Sequence, residues 1–215
     1  MSEKRLYTVI VFSENTVGLL NQVTVIFTRR RLNIETISAS PSAIAGIHKC
    51  TITTYADQAT IEKVVKLIDK RVDVIKSYYH ADEDIIHQEL ALYKVSTPLF
   101  LKMQVEELIR RHNARVLSMD EHSVIIEKNG HQSETQELFE ELNRSIGVLQ
   151  FVRSGRIALT KGKMERLSDM IAIIQRGIEQ EAAERNIVID DNPESRTSYF
   201  DVPFRQVPFE GVVKD

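Results

Sequence analysis

The sequence of 215 residues has no tryptophan, a single cysteine, eight glycines and five prolines. Because Cys50 stands alone, we expect no intrachain disulfide and no cysteine-based metal site, and its apolar surroundings predict a small buried residue. No apolar run reaches the roughly 20 residues that a membrane-spanning helix needs. A formal net charge of −3 offers no basic surface for nucleic acid. The first residues enter a strand pattern with no signal-peptide features, so we expect a cytoplasmic protein.

Motifs for catalysis and metal binding are missing as well. The sequence contains no Gly-x-Ser-x-Gly turn, no glycine-rich phosphate loop and no dinucleotide-binding fingerprint. We therefore expect a chain that is not an enzyme and binds no metal. The six histidines are scattered, without the spacing of metal ligands on a helix, and we expect them to be ordinary surface or strand-end residues: His48, His80, His87, His112, His122 and His131.

The composition is ordinary for a globular protein, with 42% hydrophobic and 27% charged residues. Strand and helix patterns occur twice in the order βαββαβ, with an offset of about eighty residues, which indicates a tandem duplication. In the first half we predict strands at 6–12, 34–39, 48–55 and 72–79 and helices at 17–31 and 60–69. In the second half we predict strands at 88–95, 115–119, 124–128 and 147–154, helices at 98–113 and 132–145, and an additional short strand at 157–159.

The order βαββαβ predicts the ferredoxin-like unit, an antiparallel sheet with both helices on one face. The fold class is therefore α+β, with two tandem ferredoxin-like domains at 1–80 and 86–160. An acidic stretch at 81–84 is interpreted as a solvated linker. The third segment, 161–215, combines an amphipathic helix with an extended tail rich in proline and aromatic residues, which we expect to pack on the second domain or on a partner. The helix prediction rests on Met164, Leu167, Met170, Ile171, Ile174 and Ile178.

The stretch from the first strand into the first helix has the features of a ligand site. Short polar residues at 13–16 are suited to cap the helix, and Gly18 in its first turn would let a ligand approach the backbone. The N–H groups and the dipole at a helix N-terminus favour a carboxylate. Asn15 and Asn33 carry carbonyl oxygens that accept from an ammonium, if the two strand ends are neighbours. Together these groups indicate a free amino acid as ligand. Taken singly, Asn15 is explained as a cap, Asn33 as a turn residue and Gly18 as a packing point.

One face of this first helix is predicted to be apolar. The residues that recur at helical spacing are Val17, Leu20, Val23, Thr24 and Phe27.

The pattern Asn15-x-x-Gly18-x-Leu20, followed by Asn33-Ile34-Glu35, resembles the N-terminal ACT domain of the acetolactate synthase small regulatory subunit. The resemblance continues through 72–75, 89–92 and 152–159 and so covers roughly the first three quarters of the chain. In one departure, Arg31-Leu32 stands where the family commonly has glycine before an aromatic-Asn-Ile run. Because glycine usually ends a helix in the left-handed conformation, we expect a different helix exit here.

The resemblance implies a homodimer that holds an amino acid between two ACT domains. Asn15 and the N–H groups of Val17, Gly18 and Leu19 would bind the effector, with Asn33 and Ile34 from the neighbouring chain. Leu19 and Leu20 would frame the side-chain pocket. The implied effector is a branched-chain amino acid, valine first.

The implied function is activation and feedback inhibition of a catalytic large subunit in branched-chain amino acid biosynthesis. By the same resemblance, that partner carries thiamine diphosphate, Mg²⁺ and often FAD, and none of these is expected on this chain. Two alternatives stay open. One is a free-standing amino-acid-sensing ACT protein that regulates transcription or another enzyme. The other is an RNA-binding module, which the absence of an RNP-type run and of aromatics on the central strands disfavours.

Overall fold

The computed structural model describes residues 4–103, 105–161, 172 and 175–177. The first half contains β1 (Arg5–Glu14), α1 (Leu19–Arg29), β2 (Thr36–Pro41), β3 (Ile47–Ala56), α2 (Gln58–Ile68) and β4 (Val74–Ala81). A short 3₁₀ turn at Asp82–Asp84 leads into the second half, which contains β5 (Ile85–Ser96), α3 (Thr97–Lys102), α4 (Glu106–Arg111), β6 (Arg115–Met119), β7 (Ser123–Gly130), α5 (Gln132–Ser145), β8 (Gln150–Arg153) and β9 (Ile157–Thr160). Apart from Lys161, helical Ala172 and helical 175–177, the predicted third segment lies outside the described residues.

The two sheets have the same strand order, β2-β3-β1-β4 and β6-β7-β5-β8, and every pairing is antiparallel. This order is that of the ferredoxin-like unit, so the predicted α+β fold with two tandem units is confirmed. Strand β9 also pairs with β5, from Ile85↔Thr160 to Gln88↔Ile157. The first part of β5 therefore extends beyond the second sheet toward the first unit.

Strand β1 is buried on both faces. Val9 and Val11 pack with Val23 and Phe27 of α1 in the core of the first unit. On the opposite face, Ile10 and Phe12 belong to a second cluster that includes Ile85 and Ala158 from the second half. A strand that is covered on both faces needs apolar side chains on both, so its sequence is continuously apolar. This explains the run from Val9 to Phe12.

The predicted linker at 81–84 is a structured junction between the units. The Asp82 carboxylate accepts a hydrogen bond from Nη1 of Arg156 at 2.6 Å. The backbone oxygen of Asp84 accepts from the N–H of Lys161 at 2.9 Å. The three acidic residues of this stretch are exposed, in keeping with the predicted solvated linker, and Asp82 and Asp84 also bind the returning chain beside β9.

Helix α1 begins two residues later than predicted, and its buried face differs. The core side chains are Leu19, Val23, Ile26 and Phe27, at spacings of three and four. Val17 lies before the helix and is fully exposed, and Leu20 is 45% exposed. The predicted side-chain cap is also wrong, because Gly18 is the N-cap residue and has no side chain to cap the first turn.

The helix predicted at 98–113 is divided into α3 and α4. Phe100 and Ile109, both buried, are nine residues apart, about two and a half turns of an α-helix. A continuous helix would place them on opposite faces. The break after Lys102 lets both side chains pack against the second sheet.

Candidate effector site at the first strand–helix turn

The turn between β1 and α1 is anchored on both sides by backbone hydrogen bonds. The N–H of Glu14 donates to the oxygen of Asp73 at 2.9 Å, and the N–H of Asn15 donates to Gly46 at 3.3 Å. The helix then starts with Leu19 N–H donating to Thr16 at 3.3 Å and Gln22 N–H to Gly18 at 3.0 Å. The turn is therefore held by its neighbours in the sheet and not by side-chain caps.

Gly18 is required at this turn by its backbone conformation. Its φ is 88°, in the left-handed region where a side chain is strained. A Cβ built at Gly18 would meet no atom of the described residues within 4 Å, so packing against them does not require glycine. The space above Gly18 is open to a ligand, and α1 has no acidic residue in its first turn to occupy the positive end of the dipole.

Two buried hydroxyl groups beside the turn were not singled out from the sequence as ligand-binding groups. The side-chain oxygens of Ser13 and Thr16 are buried without a hydrogen-bond partner within the described residues. An unpartnered buried polar group costs about 1–3 kcal/mol, and such groups in native structures often mark a missing ligand or water. Small hydroxyl residues next to a glycine turn are the only signal that the sequence offers for them.

Asn15 and Asn33 do not meet within one chain. The oxygen of Asn33 accepts a hydrogen bond from Thr54, which pairs with Tyr7 near the start of β1. Asn15 follows Glu14, at the other end of the same strand. Eight residue steps lead from Tyr7 to Asn15, about 26 Å at 3.3 Å per residue. A site that uses both side chains therefore needs a second copy of the chain.

The remaining residues predicted for this site differ in accessibility. The backbone of Val17 lies in the turn and its side chain is exposed. Leu20 is also at the surface, whereas Leu19 is 6% exposed and packs in the first core. Ile34 is partly buried against that core. Of the two leucines predicted to frame a pocket, only Leu20 has its side chain at the surface.

The helix exit at Arg31 keeps the left-handed conformation although glycine is absent. Arg31 has a φ of 54°. The N–H of Leu32 donates to Phe27 and that of Arg31 donates to Thr28, both at 3.0 Å. These two bonds form the Schellman motif that usually contains glycine. The expected difference in helix exit is therefore wrong for the backbone, which tolerates the strain of a non-glycine residue.

The other titratable candidates do not form a site. Burial raises the pKa of the Cys50 thiol to about 11, as expected for a buried, unreactive residue. His112 is buried beside Glu141, with 3.2 Å between Nε2 and Oε1, so the prediction of a surface residue was wrong there. No cluster of metal-ligating side chains occurs in the part of the chain that the structure describes. The same part contains no helix long and apolar enough to cross a membrane.

Comparison with known proteins gives this geometry a family. A model described as an AHAS small subunit-like ACT domain matches residues 9–76, and one described as the small subunit of acetolactate synthase matches residues 88–162. The acetolactate synthase small subunit of Mycobacterium leprae is 31% identical over 156 residues, 73% of this chain and 92% of that protein. The chain belongs to the acetolactate synthase small-subunit family.

Other members of the small-subunit family extend over the same region. The acetolactate synthase small subunit of Bacillus subtilis is 28% identical over 166 residues, 77% of this chain and 95% of that protein. The crystal structure of the small subunit from Thermotoga maritima superposes with a TM-score of 0.67 at 25% identity, covering 74% of this chain and 99% of that one. The candidate turn lies within the ACT-domain match, and the second ferredoxin-like unit lies within the other.

Proposed function

We propose that this chain is a regulatory subunit that raises the activity of an acetolactate synthase large subunit and makes it sensitive to a branched-chain amino acid. The observation that carries the proposal is the turn at Gly18, where, as far as the described residues go, the helix N-terminus has no side-chain cap, the space is open and two hydroxyls have no partner. Membership of the small-subunit family supports the choice of catalytic partner.

The effector carboxylate binds the N–H groups of Val17 and Gly18, and Asn15 lies exposed beside them. The N–H of Leu19, also predicted to bind the effector, already donates to Thr16 at 3.3 Å. Asn33 and Ile34 reach this position from a second copy of the chain. Strand β2 is an edge strand that pairs only with β3 within the described residues, so its other edge offers backbone groups to a second copy. A homodimer of ACT domains formed through β2 completes the amino-acid site.

Valine is the first choice of effector, with leucine and isoleucine as near competitors. One methylene in an apolar pocket changes binding by only about 1–3 kcal/mol, so the three ligands overlap in affinity. Feedback requires that the effector bind two states of the assembly differently, with a coupling of typically 1–3 kcal/mol. Thiamine diphosphate, Mg²⁺ and FAD belong to the catalytic partner in this proposal.

The test is calorimetric titration of the full chain with valine, leucine and isoleucine. We expect at least one to bind, and Asn15→Ala to weaken that binding at least tenfold. Asn129→Ala is the matched control, because Asn129 is an exposed asparagine on β7 of the second unit. Equal binding by both variants would exclude the turn as the effector site.

A second assay tests the partner. The chain is mixed with an acetolactate synthase large subunit, and acetolactate formation is measured with and without valine. Activation that valine reverses supports the proposal. Failure of the two proteins to co-purify would instead favour a free-standing amino-acid sensor.

A further inference from the structure

A cleft of about 450 Å³ lies between the two ferredoxin-like units, away from the turn at Gly18. Its walls come from β1, β2 and β3 of the first unit and from β5, α5 and the 153–156 loop of the second. The units touch closely beside it, since a Cβ at Gly155 would lie 3.4 Å from that of Thr36. This volume falls within the range of small-molecule sites, about 300–1,000 Å³.

Two buried charges of opposite sign line the cleft. Arg156 is 8% exposed and Glu89 is 7% exposed. Arg156 donates from Nη1 to Thr8 at 3.1 Å and to Asp82 at 2.6 Å. Glu89 accepts from Thr135 at 2.5 Å. Both groups are thus held in fixed positions before any ligand arrives, which lowers the entropic cost of binding.

The remaining charges of the lining are also balanced. Arg153 lies 3.4 Å from Glu89, and Glu35 is exposed at the first-unit wall. Burial, followed by the charge of Arg156, lowers the pKa of His87, which also lines the cleft, so this imidazole is neutral near pH 7. An anion alone would be repelled by the two glutamates and a cation alone by the two arginines. A molecule that carries both charges suits this lining.

The uncharged part of the lining is mainly polar. It includes Tyr55, which is 52% exposed on the central strand β3, where the sequence predicted no exposed aromatic residue. Thr36, Gln88, Gln132 and Ser154 add further hydrogen-bonding groups. The hydroxyls of Thr36 and Ser154 already bond to Thr53 and to Leu90 and Gly155. The exposed amides of Gln88 and Gln132 can instead pair with an amide or hydroxyl of the ligand, which an aliphatic side chain cannot do.

We propose that this inter-unit cleft binds a small polar zwitterion, an α-amino acid with an amide or hydroxyl side chain, at a site separate from the turn at Gly18. The carboxylate faces the arginines Arg153 and Arg156, and the ammonium faces Glu35. Because both units form the walls, the bound ligand holds them together.

The experiment is calorimetric titration of the full chain with L-glutamine, and with succinate and putrescine as probes that carry charge of one sign only. We expect saturable binding of glutamine and none of the other two. Glu35→Gln and Arg153→Gln should each weaken glutamine binding at least tenfold. Glu106→Gln, which removes an exposed carboxylate from α4, is the matched control and should leave glutamine binding unchanged.

Thermal melting of each variant separates loss of binding from loss of folding. Gly18→Asp should retain glutamine binding, so this site and the turn can fail independently. Saturable binding of succinate or putrescine would overturn the proposal. Absence of glutamine binding, or binding that neither Glu35→Gln nor Arg153→Gln weakens, would overturn it as well.

Discussion

The two ferredoxin-like units place a strand-to-helix turn at the same position, but the turns are stabilised differently. In the first unit, Gly18 leads into α1 without a side-chain cap, and the Ser13 and Thr16 hydroxyls are unpartnered within the described residues. In the second, Thr97 follows β5 directly, donating its N–H to His122 at 3.2 Å and its hydroxyl to Asp120 at 2.8 Å. Pro98 then removes one N–H at the helix start.

Within the described residues, the two turns therefore differ in where their polar groups are bound. In the second turn the N–H and hydroxyl donors of Thr97 bind the loop between β6 and β7. In that loop, Asp120 also accepts from the N–H groups of His122 and Ser123. In the first turn the N–H of Leu19 donates to Thr16, but no described side chain caps the helix. The amino-acid site is therefore proposed for the first unit only.

The largest expected effect comes from closing the first turn with a carboxylate. In Gly18→Asp the new side chain occupies the position of the effector carboxylate, so we expect effector binding to fall by about a hundredfold or more, roughly 2.7 kcal/mol. Calorimetry with valine and an activity assay with the large subunit measure this.

The matched control is Gly147→Asp in the second unit. Gly147 has a φ of 73° and open space around its Cβ position, so the backbone strain is similar. Circular dichroism should show both variants folded. Loss of effector binding in both would mean that strain, and not the blocked turn, is responsible.

The second effect concerns buried charged residues, which occur in only one of the two units within the described parts of the chain. The first half buries neutral polar groups such as Thr54. The buried charged residues all lie in the second half: Glu89, Glu127, Lys128 and Arg156. Thr135→Val removes a donor to Glu89, and we expect a loss of about 1–3 kcal/mol in the free energy of unfolding.

Thr54→Val is the comparison, because Thr54 donates to the neutral backbone oxygen of Asn33. Its expected loss is about 0.5–1.5 kcal/mol. Urea unfolding curves at one pH provide both values. A larger loss of unfolding free energy in Thr54→Val than in Thr135→Val would contradict the expectation that removing a donor to the buried Glu89 carboxylate costs more.

A smaller effect is expected at the helix exits. Arg31 and Asn113 both have positive φ, of 54° and 50°, but asparagine tolerates this region better than arginine. Arg31→Gly should raise the free energy of unfolding by up to about 1 kcal/mol, since relief of strain outweighs the added freedom of the unfolded chain. Asn113→Gly should change it less, as thermal denaturation of the two variants would show.

The smallest effect is a pH dependence confined to the second turn. Hydrogen bonds from the backbone N–H groups of His122 and Ser123 lower the pKa of Asp120 below its ordinary value of 3.8. A lowered pKa contributes stability above the unfolded value, and this contribution is lost as the pH falls through the folded one. Asp120→Asn should therefore be less stable than the parent at pH 6, and the difference should shrink below about pH 4. A constant difference would contradict this account.

Local patterns were enough to predict the strands and most helices. Helix 132–145 agrees with α5 at both ends, because its periodicity is uninterrupted. The helix at 98–113 failed because Phe100 and Ile109 must face one sheet, a requirement that appears only when the sheet is present. The buried face of α1 was predicted wrongly, because Val17 lies in the turn before the helix and is exposed.

The sequence by itself determined the duplicated βαββαβ order, the family and the glycine at the first turn, since periodicity and local motifs are properties of neighbouring residues. Tertiary structure alone decided that Asn15 and Asn33 lie at opposite ends of β1 and that Arg156 reaches back to Thr8. The inter-unit cleft likewise exists only once β5 and β9 cover the first sheet. These contacts join residues far apart in the chain, and their distances depend on strand register and domain packing, which no short stretch of sequence encodes.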